Sequence, residues 1–169
     1  MSYKEFRSKM KYKSELVSFE DILPIWQEKL WRGRNSPIKP MSSMMYEGGF
    51  NMDIYNLYNP TFFAVYNNAD KIIGVNSGHR TDEKIYRSRG IWVDPLYRKK
   101  GIAGILFCEL EGQAMKEQCI SMWSIPRKEA LPVYTKYGFV KSSDFFNEGM
   151  EFGPNCYVKK ELDYELKQH

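Results

Sequence analysis

A chain of 169 residues with 43% hydrophobic content falls within the usual size range of one domain, and it can bury a core without disulfide bonds. Its 25 basic and 21 acidic residues give a net charge of +4, which is too small to indicate a nucleic-acid-binding protein. We therefore expect residues 1–169 to form a single domain whose basic residues matter only where they cluster.

The cysteine and histidine content argues against two kinds of site. Cys108, Cys119 and Cys156 are widely spaced without a CxxC pair, so the sequence predicts neither a disulfide framework nor a zinc site. With two histidines and no carboxylates at ligand spacing, we expect no metal. The charged N-terminus has no signal-peptide core and no segment is long and apolar enough to span a bilayer, so we expect a soluble, cytoplasmic protein without membrane contact.

The first 60 residues give the weaker structural signals. Residues 11–18 are weakly strand-like, and Ser18 with Asp21 forms a capping-box variant that opens a helix. Since Pro24 removes a backbone donor, the regular helix is expected either to start there or one residue earlier, or to bend there. Residues 32–60 are rich in Gly, Pro and Asn, and we expect a loop with one short helix around 42–46.

The chain then alternates strands and helices. An aromatic and β-branched run at 62–66, turn residues at 67–70 and a second run at 71–77 predict a hairpin. The later elements are predicted in this order: a strand over 86–93, a long amphipathic helix over 101–118, a buried strand over 120–125, a helix over 127–137 that Gly138 ends, and two final strands over 139–146 and 156–162. Late helices that each follow a strand indicate an α/β or α+β sandwich around one mixed sheet.

The junction VDPLYRKKGIAGIL, residues 93–106, is typical of an anion site. The first N–H groups of a helix have no intrahelical partners and carry the positive end of the helix dipole, so a phosphate placed there gains several hydrogen bonds. Small residues let a pyrophosphate approach the main chain, and basic residues add charge. The small residues are Gly101, Ala103 and Gly104, and the basic ones are Arg98, Lys99 and Lys100.

The tetrapeptide RKKG alone is most often a solvated basic turn. With a strand before it and an amphipathic helix after it, the whole string favours phosphate binding instead. It is neither the G-x-x-x-x-G-K-[ST] of a P-loop nor a G-x-G-x-x-G dinucleotide motif, which argues against nucleotide hydrolysis and hydride transfer.

Two segments resemble the GNAT superfamily of N-acetyltransferases. Residues 98–103, RKKGIA after VDP, are similar to the family's cofactor motif [RQ]-x-x-G-x-[GA] after V-x-P. Residues 130–139, ALPVYTKYGF, are similar to its second signature, and the order of elements from about residue 61 also matches. The resemblance implies a three-layer α/β (α+β) sandwich with a mixed, mostly antiparallel sheet of about six to seven strands flanked by about four helices. Residues 1–60 would then form the variable acceptor side and 61–162 the cofactor-binding core.

The resemblance implies acetyl-CoA as cofactor. In the family, the strand before the turn is splayed from its neighbour, and its backbone binds the pantetheine arm and polarises the thioester carbonyl; the matching residues are Ile91, Trp92 and Val93. The phosphates would meet the backbone amides of Arg98, Lys99, Lys100, Gly101, Ile102, Ala103 and Gly104. Tyr134 stands where many members keep a tyrosine that protonates the leaving thiolate, although such a tyrosine also serves to pack its helix on the sheet.

Two positions depart from the family pattern. Arg127 stands where the second signature often begins with asparagine, so it becomes a candidate ligand of phosphate or substrate. The third strand has no carboxylate base near residues 87–89, which read Arg, Ser, Arg. The base is therefore either a water relay or a residue of the preceding strand, His79 or Asp82, since histidine titrates near neutrality.

The acceptor side has five candidate residues. Arg87 and Arg89, if they face inward, would hold a substrate carboxylate, whereas arginines at a strand edge are normally solvated. Trp26, Trp31 and Tyr46 lie where the family forms its acceptor cleft, and they either line a pocket or pack the core.

The function predicted from these patterns is acetyl transfer from acetyl-CoA to a primary amine of a small molecule or peptide, by direct attack of the amine. The alternative is a catalytically inactive CoA-binding sensor or scaffold, because the asparagine and the glutamate are missing. Nucleic acid is not expected as a partner, since the basic residues form no stripe with stacking aromatics. The acceptor stays open among polyamines, amino acids, aminoglycosides and protein N-termini, and the protein is expected to be a monomer or homodimer.

Overall fold

The computed structural model describes residues 11–167, which form one seven-stranded mixed sheet. Only β4 and β5 run parallel, and the other paired strands are antiparallel. The strands are β1 (Lys13–Val17), β2 (Thr61–Tyr66), β3 (Ile72–Asp82), β4 (Ile85–Val93), β5 (Ser121–Ser124), β6 (Val140–Lys141) and β7 (Val158–Glu161). Their order across the sheet is β1-β2-β3-β4-β5-β7-β6. This arrangement confirms the predicted fold class.

The α-helices lie between and after the strands. They are α1 (Phe19–Ile25), α2 (Ile54–Leu57), α3 (Ile102–Lys116), α4 (Leu131–Lys136) and α5 (Tyr164–Lys167). A π-helical turn, Trp26–Leu30, continues α1, and short 3-10 turns at Pro95–Tyr97 and Lys128–Ala130 precede α3 and α4. No helix within residues 11–167 is long and apolar enough to cross a membrane.

The start of α1 confirms the capping box and excludes a helix that begins at Leu23 or Pro24. The Ser18 side chain accepts a hydrogen bond from the Asp21 N–H, and the Asp21 carboxylate accepts one from the Ser18 N–H. The helix therefore begins at Phe19, and Pro24 lies inside it instead of starting it. Directly after the proline the hydrogen-bond spacing changes, since the Trp31 N–H reaches the Trp26 carbonyl at 2.7 Å.

The predicted short helix around 42–46 is wrong. Met44 instead forms an antiparallel bridge with Phe50 across a turn. Gly48 and Gly49 adopt φ values of 110° and 82°, which suit glycine in a tight turn and do not fit a helix. The short helix of this region is α2, whose first residue is Ile54.

The C-terminal strands are shorter than predicted. Of the run 139–146 only Val140–Lys141 forms a strand, and Phe146 makes an isolated bridge with Asn155. Gly138 ends the preceding helix with a φ of 95°, as expected of a glycine at this position.

Two apolar layers cover the two faces of the sheet. On one face, α3 buries Ile102, Leu106 and Leu110 against alternate strand residues such as Phe63 and Tyr86. We call this the α3 face. On the opposite face, Trp26 and its neighbours pack against Phe62, Ala64 and Val75, and the irregular residues 31–53 extend this cover. We call this the acceptor face, because it is formed largely by the segment predicted to bind the acceptor.

Candidate functional site

A gap opens between the two parallel strands at the centre of the sheet. β4 and β5 pair only from Ile85 with Ser121 to Arg87 with Trp123. Beyond Arg87, β4 continues to Val93 with β3 as its only paired strand among the described residues. Along this free edge β4 has no partner strand on the β5 side.

A β-bulge shapes the free edge of β4. Between the pairs Val75–Trp92 and Ser77–Arg89, the residues Gly90 and Ile91 stand opposite one residue of β3. Gly90 has a φ of 81°, and its carbonyl accepts a hydrogen bond from the Trp26 indole at 2.8 Å. A Cβ at Gly90 would lie 2.4 Å from the Trp26 ring. The bulge is therefore held by a side chain of the first helical segment.

The predicted pantetheine-binding residues Ile91, Trp92 and Val93 follow this bulge. All three are half-buried and line the free edge. Val93 and Trp92 pair with Gly74 and Val75 on the β3 side, so the strand is anchored on that side only. The structure thus places these residues beside the gap.

The basic turn connects the end of β4 to α3. Its direction is set by Asp94, whose carboxylate accepts a hydrogen bond from the Leu96 N–H at 2.9 Å, and by Arg98, whose Nε donates to the Val93 carbonyl at 3.2 Å. Lys99 adopts a φ of 61° and Gly101 a φ of 83°, so the chain turns sharply before the helix. Arg98, Lys99 and Lys100 are all exposed to solvent.

The start of α3 fits a phosphate. Gly101 caps the helix, and a Cβ added there would meet no atom within 4 Å, so the space over the first turn is open. The first intrahelical bond runs from the Ile105 N–H to the Gly101 carbonyl, which leaves the preceding amides without helical partners. These unpaired donors and the three exposed cations can hold a pyrophosphate.

The other small residues of this turn serve packing as well. A Cβ at Gly104 would lie 2.7 Å from the Tyr137 ring, so glycine lets α3 approach α4. Ile102 is buried in the core, and Ala103 is half-buried against it. Gly104 therefore serves helix packing, whereas Gly101 is the glycine of this turn with open space beside it.

Tyr134 lies at the opening of the gap and is only 3% exposed. Its hydroxyl oxygen is 3.3 Å from the Oγ of Ser124, which in turn donates to the Ser88 carbonyl at 2.7 Å. Burial raises the pKa of Tyr134, while the Ser124 hydrogen bond and the charge of Arg87 oppose this rise. The phenol is therefore protonated at neutral pH.

Arg127 points toward the acceptor face. Its Nη2 donates to the Leu30 carbonyl at 2.6 Å, and its guanidinium lies 4.6 Å from the centre of the Phe152 ring. Burial lowers the pKa of Arg127. In this structure the side chain connects the N-terminal helical segment to the C-terminal part of the chain.

Three basic side chains are buried together on the acceptor face. In the register of β3 and β4, His79 stands opposite Arg87 and Ser77 opposite Arg89. Both arginines face inward, with 8% and 5% of their surface exposed. Burial lowers the pKa of Arg87 to about 10 and that of Arg89 to about 9, values at which both stay charged at neutral pH.

His79 is fully enclosed and has partners at both ring nitrogens. Nδ1 lies 3.0 Å from the Arg80 carbonyl, and Nε2 lies 3.4 Å from the Ser42 N–H that donates to it. Burial, followed by the charge of Arg87, lowers the pKa of His79 to about 3. These contacts describe a neutral imidazole that holds the irregular segment on the sheet.

The aromatic candidates differ in exposure. Trp26 is completely buried and belongs to the core. Trp31 is half-buried beside it, with ring centres 4.9 Å apart. Tyr46 packs against Trp123 and Tyr157, and its hydroxyl donates to the Ser142 Oγ at 2.8 Å. Of the two roles left open for Trp26, the structure favours packing.

No sequence pattern was used to predict a role for three residues of the gap, which are Gly90, Ser88 and Ser124. Gly90 inside an apolar strand was a readable signal, since a glycine there often marks a bulge. The serines carried no comparable signal, because a serine in a strand is common. Among residues 11–167, no group of three His, Cys, Asp or Glu side chains is arranged to hold a metal ion.

Comparisons with known proteins agree with this geometry. Residues 59–141 match the model of the acetyltransferase (GNAT) domain. A putative N-acetyltransferase from Lactobacillus plantarum aligns over 91% of this chain and 100% of its own, with 14% identity and a TM-score of 0.67. Ard1 from Thermoplasma volcanium aligns over 91% and 99%, with 16% identity and a TM-score of 0.66. An aminoglycoside 6'-N-acetyltransferase complexed with coenzyme A aligns over 66% and 77%, with 13% identity and a TM-score of 0.55.

At these identities the solved structures establish the fold alone. The sequence matches none of the curated proteins with which it was compared.

Proposed function

Because the chain belongs to the GNAT superfamily of acetyltransferases, we propose that it transfers the acetyl group of acetyl-CoA to a primary amine of a small molecule or peptide. Acetyl-CoA is the cofactor of this family. The resemblance found in the sequence is confirmed by the match over residues 59–141.

The proposal is supported by what lies at the two ends of the gap. The gap beside β4 has the open helix start at Gly101 at one end and the Tyr134 phenol at the other. A cofactor whose phosphates lie on α3 and whose arm follows Ile91 to Val93 would bring its thioester to the bulge. The amides of 101–104 would then hold phosphate, and backbone groups of the free edge would orient the acetyl group.

The chemistry requires a bond between the amine nitrogen and the acetyl carbon, while the carbon–sulfur bond breaks. The amine must lose a proton and the leaving sulfur must gain one. Tyr134 is protonated and lies beside the gap, so we assign it the donation to sulfur. His79 is a poor base because its lone pair accepts from Ser42 and its pKa is about 3, so we favour a water relay for the amine proton.

Release of free thiol from acetyl-CoA, followed with a panel of amines, tests the proposal. We expect at least one amine to accelerate thiol release and to yield its N-acetyl derivative by mass spectrometry. The alternative, an inactive CoA-binding sensor, predicts that CoA raises the melting temperature while no amine releases thiol. That second result would overturn the enzymatic assignment and keep the cofactor site.

We propose one acetyltransferase domain over residues 1–169, with 1–60 on the acceptor side and 61–162 as the cofactor-binding core. Cys108, Cys119 and Cys156 are free thiols, which suits a reducing compartment such as the cytoplasm. We propose a monomer or homodimer, and size-exclusion chromatography with light scattering distinguishes the two.

A further inference from the structure

Arg87 is buried without the partners that a guanidinium needs. Its Nε and Nη1 atoms are shielded from solvent and have no hydrogen-bond partner. The guanidinium carbon lies 5.0 Å from the centre of the Trp123 ring, a contact that satisfies no N–H donor. A buried charge with unpaired donors is unfavourable unless a counter-ion completes the site.

Arg89 is the second cation of the same face. Its guanidinium lies 5.2 Å from the Trp26 ring and 5.1 Å from the Trp31 ring, and its Nη1 donates to the Lys39 carbonyl. Across residues 11–167, neither Arg87 nor Arg89 forms an ion pair with a carboxylate.

A nearby arginine shows the usual arrangement. Arg80 lies on β3 and, like His79, stands opposite a residue of β4. Its Nε forms an ion pair with the Glu117 carboxylate at 3.1 Å. The fold therefore supplies a carboxylate to Arg80, on the α3 face, and supplies none to the two arginines that are more deeply buried.

The position of the unpaired cations connects them to the gap. Arg87 and Trp123 form the last pair before β4 and β5 separate. Arg87 directly precedes Ser88, whose carbonyl accepts a hydrogen bond from the Ser124 Oγ at 2.7 Å, and this Oγ lies 3.3 Å from the Tyr134 hydroxyl. An anionic group held by Arg87 would therefore lie beside the end of the gap at which the Tyr134 hydroxyl stands.

We infer that the acceptor amine belongs to a free amino acid, whose carboxylate is held by Arg87 within the positive field of Arg87 and Arg89. This inference rests on the proposed acetyl transfer and names its substrate class. Carboxylate oxygens accept charge-assisted hydrogen bonds from a guanidinium, which would satisfy the unpaired donors. A polycationic acceptor such as a polyamine is disfavoured by the same two charges.

Matched acceptors give the direct test. L-amino acids are compared with their amides and with the amines that lack the carboxyl group, as in L-phenylalanine, L-phenylalaninamide and phenethylamine. We expect kcat/KM to be about tenfold or more higher for the preferred amino acid than for its amide, since a hydrogen bond to a charged group is lost. Phosphoethanolamine against ethanolamine distinguishes a phosphate from a carboxylate, and a preference for phosphoethanolamine over every amino acid would overturn the inference.

Variants separate binding from a structural role. Arg87→Met should remove the preference for carboxylate and raise KM for the amino acid more than it lowers kcat. It should not lower the melting temperature, because it replaces an unpaired buried charge by an apolar chain. Arg80→Met is the matched control, which should keep the preference although it breaks an ion pair. Equal losses for amino acid and amide in Arg87→Met, with a lower melting temperature, would show a structural role instead.

A binding measurement keeps the inference distinct from the proposed function. Thermal shifts of the CoA-loaded protein are recorded with L-amino acids and with their amides. A shift with amino acids that is absent with amides and in Arg87→Met supports the inference even if no thiol is released, in which case only the enzymatic assignment fails. Turnover of amides equal to that of amino acids overturns the inference and keeps the enzyme, and no shift with any amino acid also overturns it.

Discussion

The two faces of the sheet are built differently. The α3 face is a regular apolar layer in which Leu106 and Leu110 pack on strand residues, and the start of α3 at Gly101 is where we propose that backbone amides hold phosphate. The acceptor face buries His79, Arg87 and Arg89 beneath the irregular residues 31–53. In the function that we propose, main-chain geometry would hold the cofactor beside one face and side-chain charge would hold the acceptor on the other.

If the two proposed sites are correct, one scaffold combines a shared cofactor with a separate choice of acceptor. A helix start and a free strand edge bind phosphate and thioester in many sequences, since they need few specific side chains. Charged side chains beneath a loop segment change readily without disturbing the α3 layer. Substitutions on each face should therefore affect separate properties.

The largest effect is expected at the helix start, where Gly101→Glu puts a negative charge at the proposed phosphate position. We expect the affinity for CoA to fall by about hundredfold or more, from charge repulsion of about 3 kcal/mol or more. Isothermal titration calorimetry measures this affinity. Gly112→Glu, at an exposed site in the middle of α3 where a Cβ meets nothing within 4 Å, is the matched control and should bind CoA as the wild type does. An equal loss in both variants would count against the phosphate site.

The bulge tests how the acceptor face supports the gap. Gly90→Ala places a Cβ 2.4 Å from the Trp26 ring at a φ of 81°, so overpacking and backbone strain add. We expect the free energy of unfolding to fall by about 2–4 kcal/mol. Gly101 also has a positive φ, but a Cβ there meets open space, so Gly101→Ala should lower the free energy of unfolding by only about 1 kcal/mol. Equal losses in urea denaturation would mean that the Trp26 contact contributes nothing.

Tyr134→Phe should lower kcat by about hundredfold while KM for acetyl-CoA changes by less than about twofold, because general acids typically contribute that much. Steady-state thiol release measures both constants. Tyr137→Phe is the control, since Tyr137 follows the same helix, α4, but packs against Gly104 of α3. This variant should keep the turnover of the wild type. An unchanged kcat in Tyr134→Phe would exclude the acid role.

The regular α3 face could be predicted from the sequence to a greater extent than the irregular acceptor face. The order of the elements after residue 61, the capping box at Ser18 and the glycine at the start of α3 follow from local patterns, and the structure contains them, although the last two strands are shorter than predicted. Strand alternation also put Arg87 and Arg89 on one face, but their burial depends on residues 31–53, which are distant in sequence. Likewise Trp26 and Gly90 are 64 positions apart, so no local pattern could reveal their hydrogen bond.

The most gradual effect, at most about 1.4 kcal/mol for each pH unit, concerns the acid stability of the acceptor face. His79 has a pKa of about 3 in the folded protein, below its reference value of 6.5, so unfolding allows it to take up a proton. Its contribution is therefore fully present above pH 6.5 and is lost as the pH falls toward about 3. We expect wild type to lose up to about 1.4 kcal/mol per pH unit more than His79→Gln in this window, measured by urea denaturation. Arg87→Met should reduce the loss, because removing that charge raises the pKa of His79. Parallel curves for wild type and His79→Gln would show that the imidazole is not held neutral, and the contrast between the two faces would then rest on the arginines alone.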